Sequence, residues 1–271
     1  MHSGYTILRK QNEDESITLL AAQRAMYTEA KREGVASVAM CLGVPLLFTV
    51  LQIFVSVPYQ VLAALSFAIF IADLILAQKR SELLEEAASV QQAFDARVYG
   101  IPFENASFNR RQMLLYAKKL MRSKDEKERL RDWYLPSVAG KDPAAAILEC
   151  QHENAWWSER LLRRYLVASI AASIATVAIV AVIAWCRHAA CENLFFIIPI
   201  LEWMMRQIWA ISRAKRSERE LREALETFSL GDLGNIERVQ GKLYKARMSA
   251  VLVPDKIYNL FRARDEREIA S

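Results

Sequence analysis

Three charged side chains lie within long apolar runs of this sequence. Asp73 is near one end of its run, whereas Glu202 and Arg206 are one helical turn apart in the middle of another. Even lenient insertion scales put the cost of a charge at the bilayer centre at about 2.5 to 3.5 kcal/mol, so these groups should face protein or water. Glu202 and Arg206 either neutralise each other within one helix or, together with Asp73, line or gate a hydrated path.

The cysteines and histidines offer weaker chemistry. Cys186 and Cys191 flank a short turn, and their spacing fits either a disulfide or two reduced side chains at a membrane interface. A metal site built from these two cysteines and His188 is disfavoured, because three ligands would have to converge within a few residues. Cys150 and His152 are two residues apart and so lie on different helix faces, which disfavours a catalytic dyad.

Familiar catalytic patterns do not occur in the sequence. It contains no Gly-rich phosphate loop, no HExxH and no GxSxG, and its three histidines are scattered over different regions. We therefore expect no catalytic residues, no metal and no cofactor, and a protein that is not an enzyme.

Four apolar segments must position the charges described above. They cover residues 34–57, 60–77, 166–185 and 194–211, and the third contains no charged residue. Because an α-helix rises about 1.5 Å per residue, roughly 20 apolar residues cross the ~30 Å hydrocarbon core. The sequence predicts an all-α membrane protein with four transmembrane helices arranged as two hairpins.

The distribution of basic residues predicts the orientation of these hairpins. Thirteen Lys and Arg lie within fifteen residues of the predicted inner ends, against the single Arg187 in the two short turns. The positive-inside rule then places both termini and the segment between the hairpins in the cytoplasm. The protein is predicted to be a multi-pass protein of an inner or plasma membrane.

The predicted domains follow from the same pattern. Apolar residues at helical spacing carry the second span on into residues 78–98, so that helices extend from the membrane into a cytoplasmic bundle. A capping box at Ser123 and Glu126 predicts a helix that continues to the break at Pro136. The predicted segments are a cytoplasmic amphipathic helix (1–33), a first hairpin (34–77), a cytoplasmic helical domain (78–165), a second hairpin (166–211) and C-terminal cytoplasmic helices (212–271).

Composition limits the partners of the cytoplasmic part. Hydrophobic residues make up 53% of the chain and charged residues 25%, and the net charge is +5. This modest positive charge suits a lipid bilayer surface or a small anion better than duplex nucleic acid.

Several short runs spread over almost the whole chain resemble the SMODS-associated four-transmembrane effector family. Their order, their spacing and the matching four-span layout carry the resemblance. The runs are Ala21-Ala-Gln-Arg24, Val90-Gln-Gln-Ala-Phe-Asp95, Asp132-Trp-Tyr134, Cys150-Gln-His-Glu-Asn154 and Val253-Pro-Asp255. The sequence departs from the family pattern at His152, where we expect Arg, and at Ser158 beside Trp157, where we expect Asp.

The resemblance implies a bacterial antiphage effector of the inner membrane. Such an effector would be encoded beside a nucleotidyltransferase that makes a cyclic oligonucleotide messenger, and it would permeabilise or disrupt the membrane when that messenger appears. Four spans enclose little space, so a conducting state would need a homo-oligomer. Two other classes fit the sequence without the resemblance: a non-enzymatic membrane scaffold or assembly subunit, and a small transporter or channel.

A cyclic oligonucleotide would need Arg or Lys for its phosphates and aromatic faces or polar edges for its bases. Residues of these types cluster in the middle domain and in the C-terminal helices. The alternative is a purely structural role. Each aromatic residue would then pack in the core, and each Arg would lie on a solvated helix face or form a surface ion pair. The predicted ligand-binding residues are Trp133, Tyr134, Asn154, Trp157, Arg160, Tyr244, Arg247, Tyr258 and Arg262.

Overall fold

The computed structural model describes residues 4–101, 108–156, 158–186, 190–226 and 233–253. This part of the chain is helical and contains no strand. Its α-helices are α1 Gly4–Lys10, α2 Asp14–Val38, α3 Val44–Leu51, α4 Tyr59–Tyr99, α5 Arg110–Leu120, α6 Lys124–Glu128, α7 Pro143–Trp156, α8 Ser158–Cys186, α9 Ala190–Glu226 and α10 Leu233–Met248. A π-helical turn, Ala39–Gly43, joins α2 to α3, and a 3-10 turn, Pro136–Val138, precedes α7.

Four helical stretches are long and apolar enough to cross a membrane: Asp14–Leu51, Tyr59–Tyr99, Arg164–Cys186 and Phe195–Glu226. This confirms the predicted all-α fold with four transmembrane helices. The expected extension of the second span is also present, because α4 runs for 41 residues to Tyr99. Likewise α9 continues beyond the apolar segment to Glu226.

The described helices fall into two compact units. The first, which we call the polar-cored unit, comprises Met1–Ala30, Ser81–Glu159 and Arg213–Ala250. The second, the four-span unit, comprises Lys31–Arg80, Arg160–Ser212 and Val251–Ser271. Helices α2, α4, α8 and α9 each contribute residues to both units.

Side chains from all four spans fill the centre of the four-span unit. The cluster includes Cys41 from the π-helical turn, Ile69 from α4, Val180 from α8, and Ile200 and Trp203 from α9, all of them buried. Large apolar side chains such as Phe54, Phe67, Trp185 and Trp209 are instead exposed. An apolar exterior around a packed apolar centre is the arrangement that a bilayer stabilises.

A proline interrupts the hydrogen bonds of α9. Pro199 lies inside this helix and has no N–H with which to bond the carbonyl of Phe195, one turn earlier. The hydroxyl of Ser66 on α4 donates to that carbonyl instead. A side chain of a neighbouring helix therefore supplies the hydrogen bond that the backbone of α9 cannot make at Pro199.

In the polar-cored unit, side chains cap the starts of α6 and α7, and the cap at Ser123 was predicted from the sequence. The Ser123 hydroxyl accepts a hydrogen bond from the Glu126 N–H at the start of α6. The Asp142 carboxylate accepts from the N–H groups of Ala144 and Ala145 at the start of α7. These contacts satisfy N–H groups that a helix end leaves free.

The predicted length of α6 is wrong. This helix ends at Glu128 and does not continue to Pro136. Asp132, with a φ of 52°, adopts the left-handed conformation that few residues other than glycine favour. Its backbone N–H donates to the side chain of Asn12 at 3.0 Å, and the Tyr134 N–H donates to Gln11 at 2.7 Å, so contacts with a distant part of the sequence fix this turn.

Candidate functional site

The three charges predicted inside the membrane come together in the four-span unit. We call Asp73, Glu202 and Arg206 the intramembrane charge cluster. The Arg206 Nη2 donates to Asp73 Oδ2 and, at 2.6 Å, to Glu202 Oε2. The Nη1 of the same guanidinium donates to the backbone carbonyl of Asp73 at 3.3 Å. One guanidinium from α9 thus joins a carboxylate of its own helix to a carboxylate of α4.

A third helix contributes to this cluster. The hydroxyl of Ser37, on α2, donates to Asp73 Oδ1, and the thiol of Cys41, one turn further on, also interacts with the Asp73 carboxylate. Ser37 was not among the residues predicted from the sequence. Its position four residues before Cys41 was visible in the sequence, but its partner depends on how α2 packs against α4.

Burial differs among the members of the intramembrane charge cluster. The Asp73 side chain is 0% exposed, whereas Arg206 and Glu202 retain 22% and 26% exposure. The intrahelical pair between Glu202 and Arg206 is therefore present but is one half of a larger arrangement. Arg206 also contacts the more deeply buried Asp73, which a self-contained pair would not require.

The polar-cored unit has a second buried cluster, centred on Asp95 of α4. Asp95 Oδ2 accepts hydrogen bonds from Arg247 Nη1 at 2.6 Å and from Gln240 Nε2 at 2.8 Å, both on α10. Its Oδ1 accepts from the Tyr134 hydroxyl at 2.8 Å. These four residues form what we call the Asp95 cluster, and each of them is buried.

Further polar side chains surround the Asp95 cluster. Gln240 Nε2 donates to Gln92 Oε1 at 2.9 Å, and Gln240 Oε1 accepts from Gln151 Nε2 at 2.9 Å. The Tyr134 hydroxyl lies 2.7 Å from that of Tyr99. Helices α4, α7 and α10 and the segment before α7 are therefore held by one hydrogen-bonded network, which raises the cost of removing any one member.

Burial and Asp95 together set the protonation of this cluster. Burial raises the pKa of Tyr134 well above its ordinary value, and the nearby Asp95 carboxylate raises it further. Burial by itself would lower the pKa of Arg247, but the contact with Asp95, helped by Tyr134 and Tyr27, raises the pKa above the ordinary value. Arg247 therefore stays charged and Tyr134 stays neutral at physiological pH.

The structure brings only part of the predicted ligand-binding set into this network. Tyr134 and Arg247 belong to the Asp95 cluster, and the Tyr244 hydroxyl lies 2.8 Å from Ser89 Oγ. Trp133, next to Tyr134, is half-buried.

For the remaining predicted ligand-binding residues, the structure describes at most the backbone. Asn154 lies on α7 and Arg160 on α8, but their side chains lie outside the described residues. Trp157, Tyr258 and Arg262 lie outside them entirely, so their part in the site stays a prediction.

Four members of this network were not predicted from the sequence: Asp95, Gln92, Gln151 and Gln240. A signal for the first two exists, because Gln92 and Asp95 are three residues apart and so share a helix face beside the buried Phe94. Polar residues next to an apolar stripe indicate a buried hydrogen-bond network when partners are available elsewhere. The partners, on α7 and α10, are not identifiable from local spacing.

Two buried polar atoms near the Asp95 cluster have unused hydrogen-bonding capacity. Among the residues that the structure describes, Arg247 Nη2 and Gln151 Oε1 have no hydrogen-bond partner. Arg247 is 8% exposed, so its second amino group is an available donor in a largely enclosed position.

Cys186 is exposed at the end of α8, and the Cys191 side chain lies outside the described residues. The disulfide between them therefore stays a prediction.

Four apolar helices with a charge cluster among them, and a second helical unit whose core contains a buried polar network, define a multi-pass α-helical membrane protein. The chain belongs to the SMODS-associating 4TM effector domain family, whose model matches residues 5–271. It is similar to a protein described as a probable CBASS effector molecule of Bacillus cereus (strain VD146), with 19% identity over 293 residues. That alignment covers 97% of this chain and 95% of the relative. No solved structure matches the chain.

These matches confirm the resemblance found in the sequence. The protein is a membrane effector of the four-transmembrane class.

Proposed function

We propose that this protein is an effector of a CBASS antiphage system that a cyclic oligonucleotide activates and that then permeabilises the bacterial inner membrane without catalysis. The observation that carries the proposal is the intramembrane charge cluster. Family membership and the similarity to a probable CBASS effector support the defence role. The basic residues that flank the spans support an orientation with both termini in the cytoplasm, where a messenger would be made.

The geometry of the charge cluster favours a hydrated path. Three ionisable groups in apolar helices are costly in lipid and mark ion or water pathways in membrane proteins. Glu202 and Arg206 remain partly exposed, at 26% and 22%, although both belong to the apolar part of α9. Water or a second copy of the chain at this surface would lower the cost of keeping them there.

The packing of the four-span unit favours an oligomer. Buried side chains from all four spans, among them Trp203 and Ile200, fill its centre. A path lined by Glu202 and Arg206 would then form between copies, with these side chains on the surface where copies meet.

We propose that the messenger binds to the polar-cored unit, near the Asp95 cluster. A phosphate needs a charged donor, and Arg247 Nη2 is such a donor, with no hydrogen-bond partner among the described residues. Trp133 and Tyr244 would supply aromatic surface for a base, and the other predicted residues on α7, on α8 and near the C-terminus remain part of the proposed site. Asp95 and Asp73 lie on the same continuous helix, α4, which offers a route for coupling between binding and the membrane.

A double substitution tests the membrane part of this proposal. Glu202→Gln combined with Arg206→Gln removes both charges of α9 but also takes the guanidinium from the buried Asp73, so the amount of inserted protein is measured in the same cells. In cells that express the partner nucleotidyltransferase, we expect a membrane-potential dye to report loss of the depolarisation that the unaltered protein causes.

The matched control is Glu128→Gln combined with Arg131→Gln. It removes the same two charge types from an exposed pair in the polar-cored unit. This control should depolarise cells as the unaltered protein does. Full depolarisation by the Glu202 and Arg206 double variant, at equal abundance in the membrane, would exclude both residues from the path.

A further inference from the structure

The intramembrane charge cluster has two carboxyl groups but only one guanidinium. Arg206 uses both of its terminal nitrogens on Asp73: Nη2 on the carboxylate and Nη1 on the backbone carbonyl. Ser37 donates to the other carboxylate oxygen of Asp73. Among the described residues, Glu202 receives a hydrogen bond only from Nη2, which it shares with Asp73, through Oε2 at 2.6 Å. Asp73 is therefore the better stabilised anion of the two.

Within the part of the chain that the structure describes, the other polar groups near the cluster do not supply a second contacting cation. On the π-helical turn, Cys41 contributes a thiol that contacts Asp73 and interacts electrostatically with Arg206 and Glu202. On α4, Arg80 is two turns beyond Asp73 and attracts it electrostatically, but Arg80 also interacts with Glu33 on α2 and with Tyr165 on α8. Glu33 has its own contact, at 2.5 Å, with Lys79.

Two carboxylates that share one partner in a medium of low polarity do not both ionise readily. The less well stabilised group takes up a proton, which restores neutrality within the cluster. Glu202 meets this description, since it has fewer donors than Asp73 and its side chain is more accessible.

We propose that Glu202 binds a proton at neutral pH and that the cluster consists of ionised Asp73, charged Arg206 and the neutral acid of Glu202. When water reaches the cluster, Glu202 releases this proton to the water and becomes a carboxylate paired with Arg206. The site is thus a proton-binding site within the membrane. The inference goes beyond the proposed function and does not depend on the messenger or on an antiphage role.

Infrared spectroscopy of the full-length protein in lipid vesicles, at neutral pH and without messenger, tests this assignment directly. A protonated carboxyl group absorbs apart from carboxylates, so the unaltered protein should show a band that Glu202→Gln removes. Carbon-13 labelling of glutamate should shift this band, and labelling of aspartate should leave it in place.

Two further variants separate the proton site from a general disturbance of the fold. Asp73→Asn leaves Glu202 alone with Arg206, so Glu202 should ionise and the band should be lost although the glutamate is still present. Arg206→Lys keeps one cation for two carboxyl groups, and the band should remain. A spectrum in which Glu202→Gln removes no protonated carboxyl band, or a band that moves only with aspartate labelling, overturns the assignment.

Discussion

At the scale of single residues, Arg247 has two roles that one substitution must separate. Its Nη1 neutralises the buried Asp95 at 2.6 Å, and its Nη2 is the donor that we assign to the messenger. Arg247→Ala would leave Asp95 buried and unpaired, at a cost of roughly 3–5 kcal/mol. Loss of binding in that variant would therefore not distinguish a ligand contact from unfolding of the polar-cored unit.

Arg247→Lys is the sharper variant for the proposed messenger site. Lysine keeps a cation for Asp95 but lacks the planar fork that offers a second nitrogen in a fixed direction. We expect titration with the cognate cyclic oligonucleotide to show binding weakened about tenfold, which corresponds to about 1.4 kcal/mol for one lost charge-assisted hydrogen bond. The melting temperature should change little.

The control for this substitution is Arg238→Lys. Arg238 is an exposed arginine of the same helix, and the change should leave binding unaltered. Wild-type affinity in the Arg247→Lys protein would move the proposed site away from the Asp95 cluster.

The residues of the intramembrane charge cluster and of the Asp95 cluster differ in how well the sequence predicted them. The sequence identified Asp73, Glu202 and Arg206 because a charge within an apolar run is conspicuous wherever the helix packs. It did not identify Ser37 or Asp95, because a serine in a span and an acid in a charge-rich helix are both unremarkable locally. Their roles arise from packing against Asp73 and Arg247, which lie 36 and 152 residues away in the sequence.

At the scale of helices, local sequence signals predicted where a helix begins and whether it continues better than they predicted where it ends. The continuity of α4 follows from an apolar stripe with no Pro or Gly to interrupt it, and the starts of α6 and α7 follow from their capping side chains. The early end of α6 was not predictable in the same way. The hydrogen bonds of Asn12 and Gln11 to the segment around Asp132 and Tyr134 override a sequence that would otherwise permit more helix.

The repair of α9 at Pro199 yields a prediction about helix packing. Ser66→Ala leaves the Phe195 carbonyl without the hydroxyl donor from α4, and hydrogen bonds of this kind in membrane proteins are worth about 0.6 to 1.7 kcal/mol. We expect unfolding in detergent to show a loss of about 1 kcal/mol.

The same measurement in a Pro199→Ala background provides the control for Ser66→Ala. An alanine N–H at position 199 can bond the Phe195 carbonyl within α9, so Ser66→Ala should then cost close to nothing. An equal loss in both backgrounds would mean that Ser66 stabilises the four-span unit through contacts other than this carbonyl.

At the scale of the whole molecule, the orientation in the membrane remains a prediction from the charge distribution. The structure shows which positions are exposed enough for a thiol reagent to test it. Cys150 is buried in the polar-cored unit, so its failure to react with a thiol reagent would not report which side of the membrane it occupies. Cys186 is exposed and can therefore serve as the reporter for the predicted outer side. Lys124, exposed on α6, is a better position for a cytoplasmic reporter.

We expect an impermeant thiol reagent to label Cys186 in intact spheroplasts after mild reduction. In a protein with Lys124→Cys and the native cysteines replaced by serine, the same reagent should react only after the membrane is opened. Thirteen flanking basic residues on the inner side against Arg187 outside make the opposite arrangement unfavourable. Labelling without reductant tests the predicted disulfide: if Cys186 reacts equally in the unaltered protein and in a Cys191→Ser variant, the disulfide is excluded. For the orientation, reaction of Lys124→Cys in sealed spheroplasts would be the contradicting result. It would reverse the predicted orientation and place the proposed messenger site outside the cell.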